Sequence, residues 1–232
     1  VLIYSPSHIR EDLDFLSKKL PIFIYPLYPL FIIKTMKKLL LLMLLTFATI
    51  TSASEEVLSF PFTLDNVKNW KYVSDQVMGG VSEGQVLLEQ DGDMVFTRLT
   101  GNVRTENNGG FIQLRTSTSV SNKPLMFKSI HNSKKDGKKL QGVRLNVRGN
   151  GETYHIFIQT SFLHWLPIGF HTATFDTSPN WKMVDLPFNQ FKKRSNKNKS
   201  NFDAKDIKTF GIVAYGRDFT SDLSVSSIEF YY

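Results

Sequence analysis

Beyond residue 54 the chain alternates apolar and polar positions in short runs, each closed by glycine, asparagine, aspartate or proline. In "GVRLNVRGNGETYHIFIQT", Val143, Leu145 and Val147 share one face while Arg144, Asn146 and Arg148 share the other. A period of two is the mark of a strand with one buried face. Tyr154, Ile156 and Ile158 resume the buried face after Gly149-Asn150-Gly151, so the segment is predicted to be a β-hairpin. "VLLEQDGDMVFTRLTG" reads the same way around Asp91-Gly92, a dipeptide that supplies the positive φ of a tight turn. Further strands are predicted at Gly110 to Thr116, Ala173 to Phe175, Lys182 to Leu186, Thr209 to Tyr215 and Val225 to Tyr231. No segment holds a helical period for three turns, and "LPFNQFKK", with Phe188 and Phe191 three apart, predicts one helical turn at most. His131 to Gly142 and Lys192 to Asn201 are polar and basic and are predicted to be loops. The second could steer the protein towards acidic surfaces or simply be solvated. The pattern predicts an all-β sandwich or barrel, and an aromatic content of 13% suits the space between two sheets.

The N-terminal part has a different texture. "MKKLLLLMLLTFATITSA", from Met36, sets two lysines before an apolar run from Leu39 to Ile50 and ends on small residues at Ala53. That is the layout of a secretory signal peptide, and the run is shorter than the ~20 residues of a spanning helix. Cleavage is expected near Ala53, leaving 54–232 as a single exported domain, periplasmic or secreted, with no membrane span. Residues 1–35 precede Met36 and carry Pro21, Pro26 and Pro29 in their apolar part. They are read as an over-extended leader outside the fold.

Charge and cysteine usage narrow the function. The whole chain carries a net +7, but residues 54–232 keep 22 of the 28 basic and 18 of the 21 acidic side chains, about +4. With no basic motif interleaved with aromatics, no nucleic-acid partner is expected. The absence of cysteine excludes a disulfide scaffold, a thiol nucleophile and lipoprotein acylation.

"SDQVMGGVSEG", Ser74 to Gly84, is the densest candidate for chemistry. A phosphate cradle needs a glycine-rich loop entering a helix, with a lysine and hydroxyl at fixed places, and none follows. Gly79 and Gly80 read as backbone geometry. Asp75 and Ser82 can pin the turn by accepting amide hydrogens. Asp75 with Glu83, or with the Asp91 and Asp93 pair, offers too few oxygens for a calcium of known loop type, so no metal or cofactor is assigned. In "NNGGFIQLR", Phe111, Gln113 and Arg115 share one strand face. If that face is inward, Arg115 needs a buried acid and Asp75 is its partner, which is the preferred reading. If it is outward, Gln113 and Arg115 become ligand contacts. His155, His164 and His171 match no zinc spacing. No G-x-S-x-G elbow is present, and no catalytic residue is assigned. In "SFLHWLPIGFH", Trp165 is the candidate platform for stacking on a sugar, the alternative being that it closes the core. Trp70 and Trp181 are assigned to the core.

Four blocks in order, "NWKYVSDQVMGGVSEGQV", "NNGGFIQLRT", "WKMVDLPFNQF" and "IKTFGIVAYGRDFTSDLSVSSIEFYY", resemble the signature of the complex I intermediate-associated protein 30 family. The resemblance spans Phe60 to Tyr232. It implies a galactose-binding-domain-like β-sandwich of jelly-roll type, and it makes Asp75, Met78, Gly79, Gly80, Ser82, Asn108, Gly109, Gly110, Phe111 and Arg115 the structural signature. Mitochondrial members are assembly factors without established catalysis, but an export signal departs from that setting. The resemblance therefore implies a non-catalytic binding or assembly module with a protein partner of the cell envelope. A carbohydrate-binding module is the alternative.

Overall fold

Two antiparallel sheets carry the fold. The structure is a computed structural model that describes Lys38 and residues 55–119, 123–133, 137–160, 170–193 and 202–232. Both sheets belong to the unit Ser54–Tyr232. The strands are β1 (Val57–Pro61), β2 (Lys71–Ser74), β3 (Glu83–Asp91), β4 (Met94–Val103), β5 (Phe111–Ser117), β6 (Gly142–Gly149), β7 (Thr153–Gln159), β8 (Phe170–Asp176), β9 (Lys182–Pro187), β10 (Lys192–Lys193), β11 (Thr209–Tyr215) and β12 (Phe219–Tyr231). The first sheet runs β3-β4-β12-β6-β9, with β1 also paired to β12. The long β12 serves β4 with its first half and β1 with its second. The second sheet runs β10-β8-β7-β11-β5-β2.

Between the sheets lies one core. Leu99, Leu145, Val147, Leu223 and Phe230 enter it from the first sheet, and Ile112, Leu114, Ile156, Ile158, Phe210 and Ile212 from the second. This is a β-sandwich, as the alternation predicts. A bulge between Val225 and Ser227 shifts the register of β12 against β6, so Leu223 and Val225, then Ile228 and Phe230, all face inward.

The strands at β5, β8, β9, β11 and β12 fall where the sequence predicts them, and β12 is longer. The β3–β4 hairpin forms with Asp91 opposite Met94 and Gly92 at φ +59°. The second hairpin does not form. β6 pairs with β12 and β9, whereas β7 pairs with β11 and β8 in the other sheet. The Gly149-Asn150-Gly151 turn crosses between sheets, held by Gly149 N–H to Ser178 O (2.8 Å) and Asn150 N–H to Asp222 O (3.1 Å). A second correction is helix α1 (Leu125–Asn132), which takes in the start of the predicted loop and buries Met126, Phe127 and Ile130. Phe188–Gln190 forms the expected single turn. Trp70 packs on the core, against Phe62 and Phe210. Trp181 does not: it lies against Phe96, under the Arg148 guanidinium, with Arg148 and Phe96 on the outer face of the first sheet.

Candidate functional site

The glycine-rich motif at residues 74–84 folds around one carboxylate. β2 ends at Ser74, and Asp75 begins a 3₁₀ turn that Gly79 terminates at φ +86°, a conformation glycine adopts freely. Asp75 is fully buried. Its Oδ1 accepts the Ser82 amide at 2.9 Å, and its Oδ2 accepts the Ser82 hydroxyl at 2.5 Å and the Gly110 and Phe111 amides at 2.5 and 3.1 Å. Ser82 Oγ in turn accepts the Arg104 amide at 2.9 Å. Asn107 and Asn108 take positive φ in the turn before Gly109, and Asn107 Nδ2 donates to Gly79 O at 3.3 Å. Burial pushes the Asp75 carboxyl up, but the Ser82 hydroxyl and the three amides outweigh it and hold the group below its ordinary value.

The two signature blocks are thus joined through Asp75, and the partner is not Arg115. No Asp75–Arg115 ion pair exists among the described residues, because four donors already occupy the carboxylate. The strand itself forbids the pairing: Ile112 and Leu114 enter the core, so Phe111, Gln113 and Arg115 take the outer face. Asp75, Ser82 and Arg115 therefore do not converge, and the Ser82 hydroxyl is fully buried away from any substrate. Met78 makes no part of the latch and stands 57% exposed, with Val77 at 73%.

The outer face of the second sheet is where the alternative reading of Arg115 leads. Strand register sets Lys71, Arg115, Gly211, Phe157, Thr172 and Lys192 in one row across the six strands. The next row holds Val73, Gln113, Val213, His155 and Thr174. Gly211 is buried between Arg115 and Phe157, where the Gln113 amide fills the space: a β-carbon there would stand 3.0 Å from Gln113 Oε1. Phe157 anchors a ring cluster with Phe170 (5.3 Å), Tyr215 (5.2 Å) and His155 (5.9 Å). Burial, helped by the charge of Arg217, pushes His155 down to about 4, so its imidazole is neutral at physiological pH. Gln113 and Phe157 are buried, so what the face presents is a half-buried guanidinium and a neutral imidazole beside the rings of Phe170 and Tyr215.

Among the described residues no three His, Asp or Glu side chains are placed to share a metal ion. Trp165 and His164 lie outside the described residues. The sequence reading named Gln113 and Arg115 but missed Gly211, His155, Phe157 and Tyr215. The signal for His155 and Phe157 was present: they alternate with Tyr154, Ile156 and Ile158, which marks a strand with substantial side chains on both faces.

The family model for complex I intermediate-associated protein 30 matches residues 60–225. None of the curated proteins matches the chain. Among solved structures, the family 11 carbohydrate-binding module of the cellulosomal cellulase Lic26A-Cel5E of Clostridium thermocellum is similar, at 14% identity and a TM-score of 0.51 over 76% of this chain and 94% of that one. The family 11 module from the same organism in complex with a β-1,3-1,4-mixed-linked tetrasaccharide gives 13% identity and a TM-score of 0.50, over 74% and 94%. At such identities the likeness is one of fold.

Proposed function

Because the chain belongs to the complex I intermediate-associated protein 30 family, we propose that it is a non-catalytic binding module, and that the outer face of its second sheet takes a glycan of the cell envelope. The observation that carries this reading is that half-buried Arg115 shares the outer face with the half-buried rings of His155, Phe170 and Tyr215, which pack around Phe157. Sugars are held by polar groups that fix hydroxyls and by apolar ring surface against the sugar's C–H face. The fold supports the reading, being that of modules that bind carbohydrate. Export through cleavage after Ala53 would bring this face to the envelope. N-terminal sequencing of the mature protein is expected to begin at Ser54, and a start upstream of Met36 would overturn export.

A second reading has its own observation. The Asp75 latch holds a loop whose Val77 (73%), Met78 (57%) and Val81 (37%) side chains are exposed together. Apolar groups fixed in place lose little freedom on docking, which suits a protein partner. The two readings separate by location. Titrating the isotopically labelled full chain with β-1,3-1,4-glucan oligosaccharides and oligogalacturonate is expected to shift amide resonances of β5, β11 and β7. Binding without such shifts would remove the face from the account.

A further inference from the structure

Of the six arginines among the described residues, four pair with carboxylates. Arg98 grips Asp222 with two bonds of 2.8 Å, Arg144 pairs with Asp185 and with Glu55, Arg148 with Asp91 and Arg217 with Glu152. Arg104 is exposed, where water solvates its charge. Arg115 is half-buried, and no described carboxylate pairs with it. Burial pulls its pKa down. Its cross-strand neighbour on β2 is Lys71, a like charge. A partly desolvated guanidinium with no carboxylate partner among the described residues, set beside another cation, is a standing cost to the fold, of the sort retained where a ligand supplies the missing charge.

Resting on the proposal that this face binds a glycan, we infer that the glycan is anionic, a polysaccharide bearing carboxylate or sulfate groups. The row Lys71, Arg115, Gly211, Phe157, Thr172 and Lys192 crosses six strands, about 24 Å at the usual strand spacing. Cations stand at both ends and at Arg115. The outward acid on these strands is Asp176, at the far end of β8 and bonded by the Thr153 hydroxyl at 2.6 Å. Guanidinium is the cation best matched to the planar, two-oxygen geometry of a carboxylate or the oxygens of a sulfate. Phe157 and Gly211 are buried, and the half-buried rings of Phe170 and Tyr215 packed on Phe157 supply the apolar surface on this face. A chain with repeated charges would meet Lys71 and Arg115 side by side at one end of the row and Lys192 at the other.

The outer face of the first sheet shows what a spent set of charges looks like. A pocket of about 320 Å³ there is lined by Arg98, Arg148, Asn150 and Asp222, but both guanidiniums already pair with carboxylates. It offers an anion no free positive partner.

The test is calorimetric titration of the full chain with polygalacturonate, dextran sulfate and neutral β-1,3-1,4-glucan, in wild type, Arg115→Gln and Lys128→Gln. Lys128 is exposed on α1, outside the strand rows that form this face, and controls for net charge. One or both acidic polymers are expected to bind, with affinity falling at least tenfold in Arg115→Gln and less than twofold in Lys128→Gln. Preference between the two acidic polymers assigns carboxylate or sulfate. The melting temperature of Arg115→Gln is expected to be unchanged or raised, since an uncompensated charge is removed. Binding of neutral glucan that Arg115→Gln leaves intact, with no preference for the acidic polymers, would overturn the anionic inference while sparing the face. Equal losses in both variants would reduce the effect to bulk charge and overturn it as well. Failure of all three polymers would overturn the glycan reading itself. A marked fall in the Arg115→Gln melting temperature would assign the arginine to the fold instead of to a ligand.

Discussion

Replacing Asp75 with alanine is expected to cost about 4 kcal/mol of folding stability, and to lower the melting temperature on the order of 10 °C. The carboxylate gathers four donors, three of them backbone amides, at a point where no water reaches. Each donor stripped of its acceptor keeps its desolvation cost and loses its bond. Asp75→Asn is expected to rescue in part, because its carbonyl oxygen can take the three donors at Oδ2 while its NH2 meets the Ser82 amide hydrogen. The pH dependence follows from the sign of the shift. The native carboxyl titrates below its ordinary value, so its contribution is complete above about pH 4 and is lost as pH falls through the depressed native value. Urea denaturation from neutral pH downwards should show a wild-type decline on the acid side that is shallower in Asp75→Asn. A loss below about 1 kcal/mol in Asp75→Ala would mean that the latch does not hold the loop.

Gly109→Ala is expected to cost about 3 kcal/mol in the wild type, because its added carbon would stand 2.5 Å from Asp75 Oδ2 and 2.8 Å from Cγ. Gly80 confronts the same carboxylate from the other side, 2.7 Å from Asp75 Cβ. These two glycines are small because the acid is there. The cost of Gly109→Ala should therefore shrink in an Asp75→Ala background, where the space opens, giving a coupling of about 2 kcal/mol in a double-mutant cycle. Gly79 is the contrast, since nothing lies within 4 Å of its added carbon and only its φ of +86° resists substitution. Gly79→Ala should cost about 1 kcal/mol in either background. Strict additivity of Gly109→Ala and Asp75→Ala would refute the steric account of the signature.

The sequence made the strands legible and left part of their pairing hidden, for a physical reason. Alternation reports which side chains are buried and is silent on which strand receives the backbone bonds. Val143, Leu145 and Val147 and then Tyr154, Ile156 and Ile158 do all face the core, but from opposite sheets. Helix α1 escaped because eight residues give too few turns for a period to declare itself. At the candidate site, Asp75 and Ser82 were read correctly as anchors of the turn, since a carboxylate amid glycines has few other uses. An inward Arg115 follows from the need of the turn around Asp75 for an anchor, a need that the backbone amides meet instead. Ile112 and Leu114 carried the opposite parity, and burial followed the two aliphatic positions. The ring cluster of His155, Phe157 and Tyr215 assembles from β7 and β11, and no local pattern announces a grouping that exists only across strands.

Amide chemical-shift mapping of the labelled full chain, titrated with oligogalacturonate and with β-1,3-1,4-glucan oligosaccharides, tests most directly whether the second sheet's outer face is the binding surface. The expected result is saturable shifts centred on Gln113, Arg115, His155, Phe157, Gly211 and Val213, with residues 77–81 and the Arg98–Asp222 pocket undisturbed. Shifts confined to that pocket or to residues 77–81, or no saturable shift with either sugar, would contradict it.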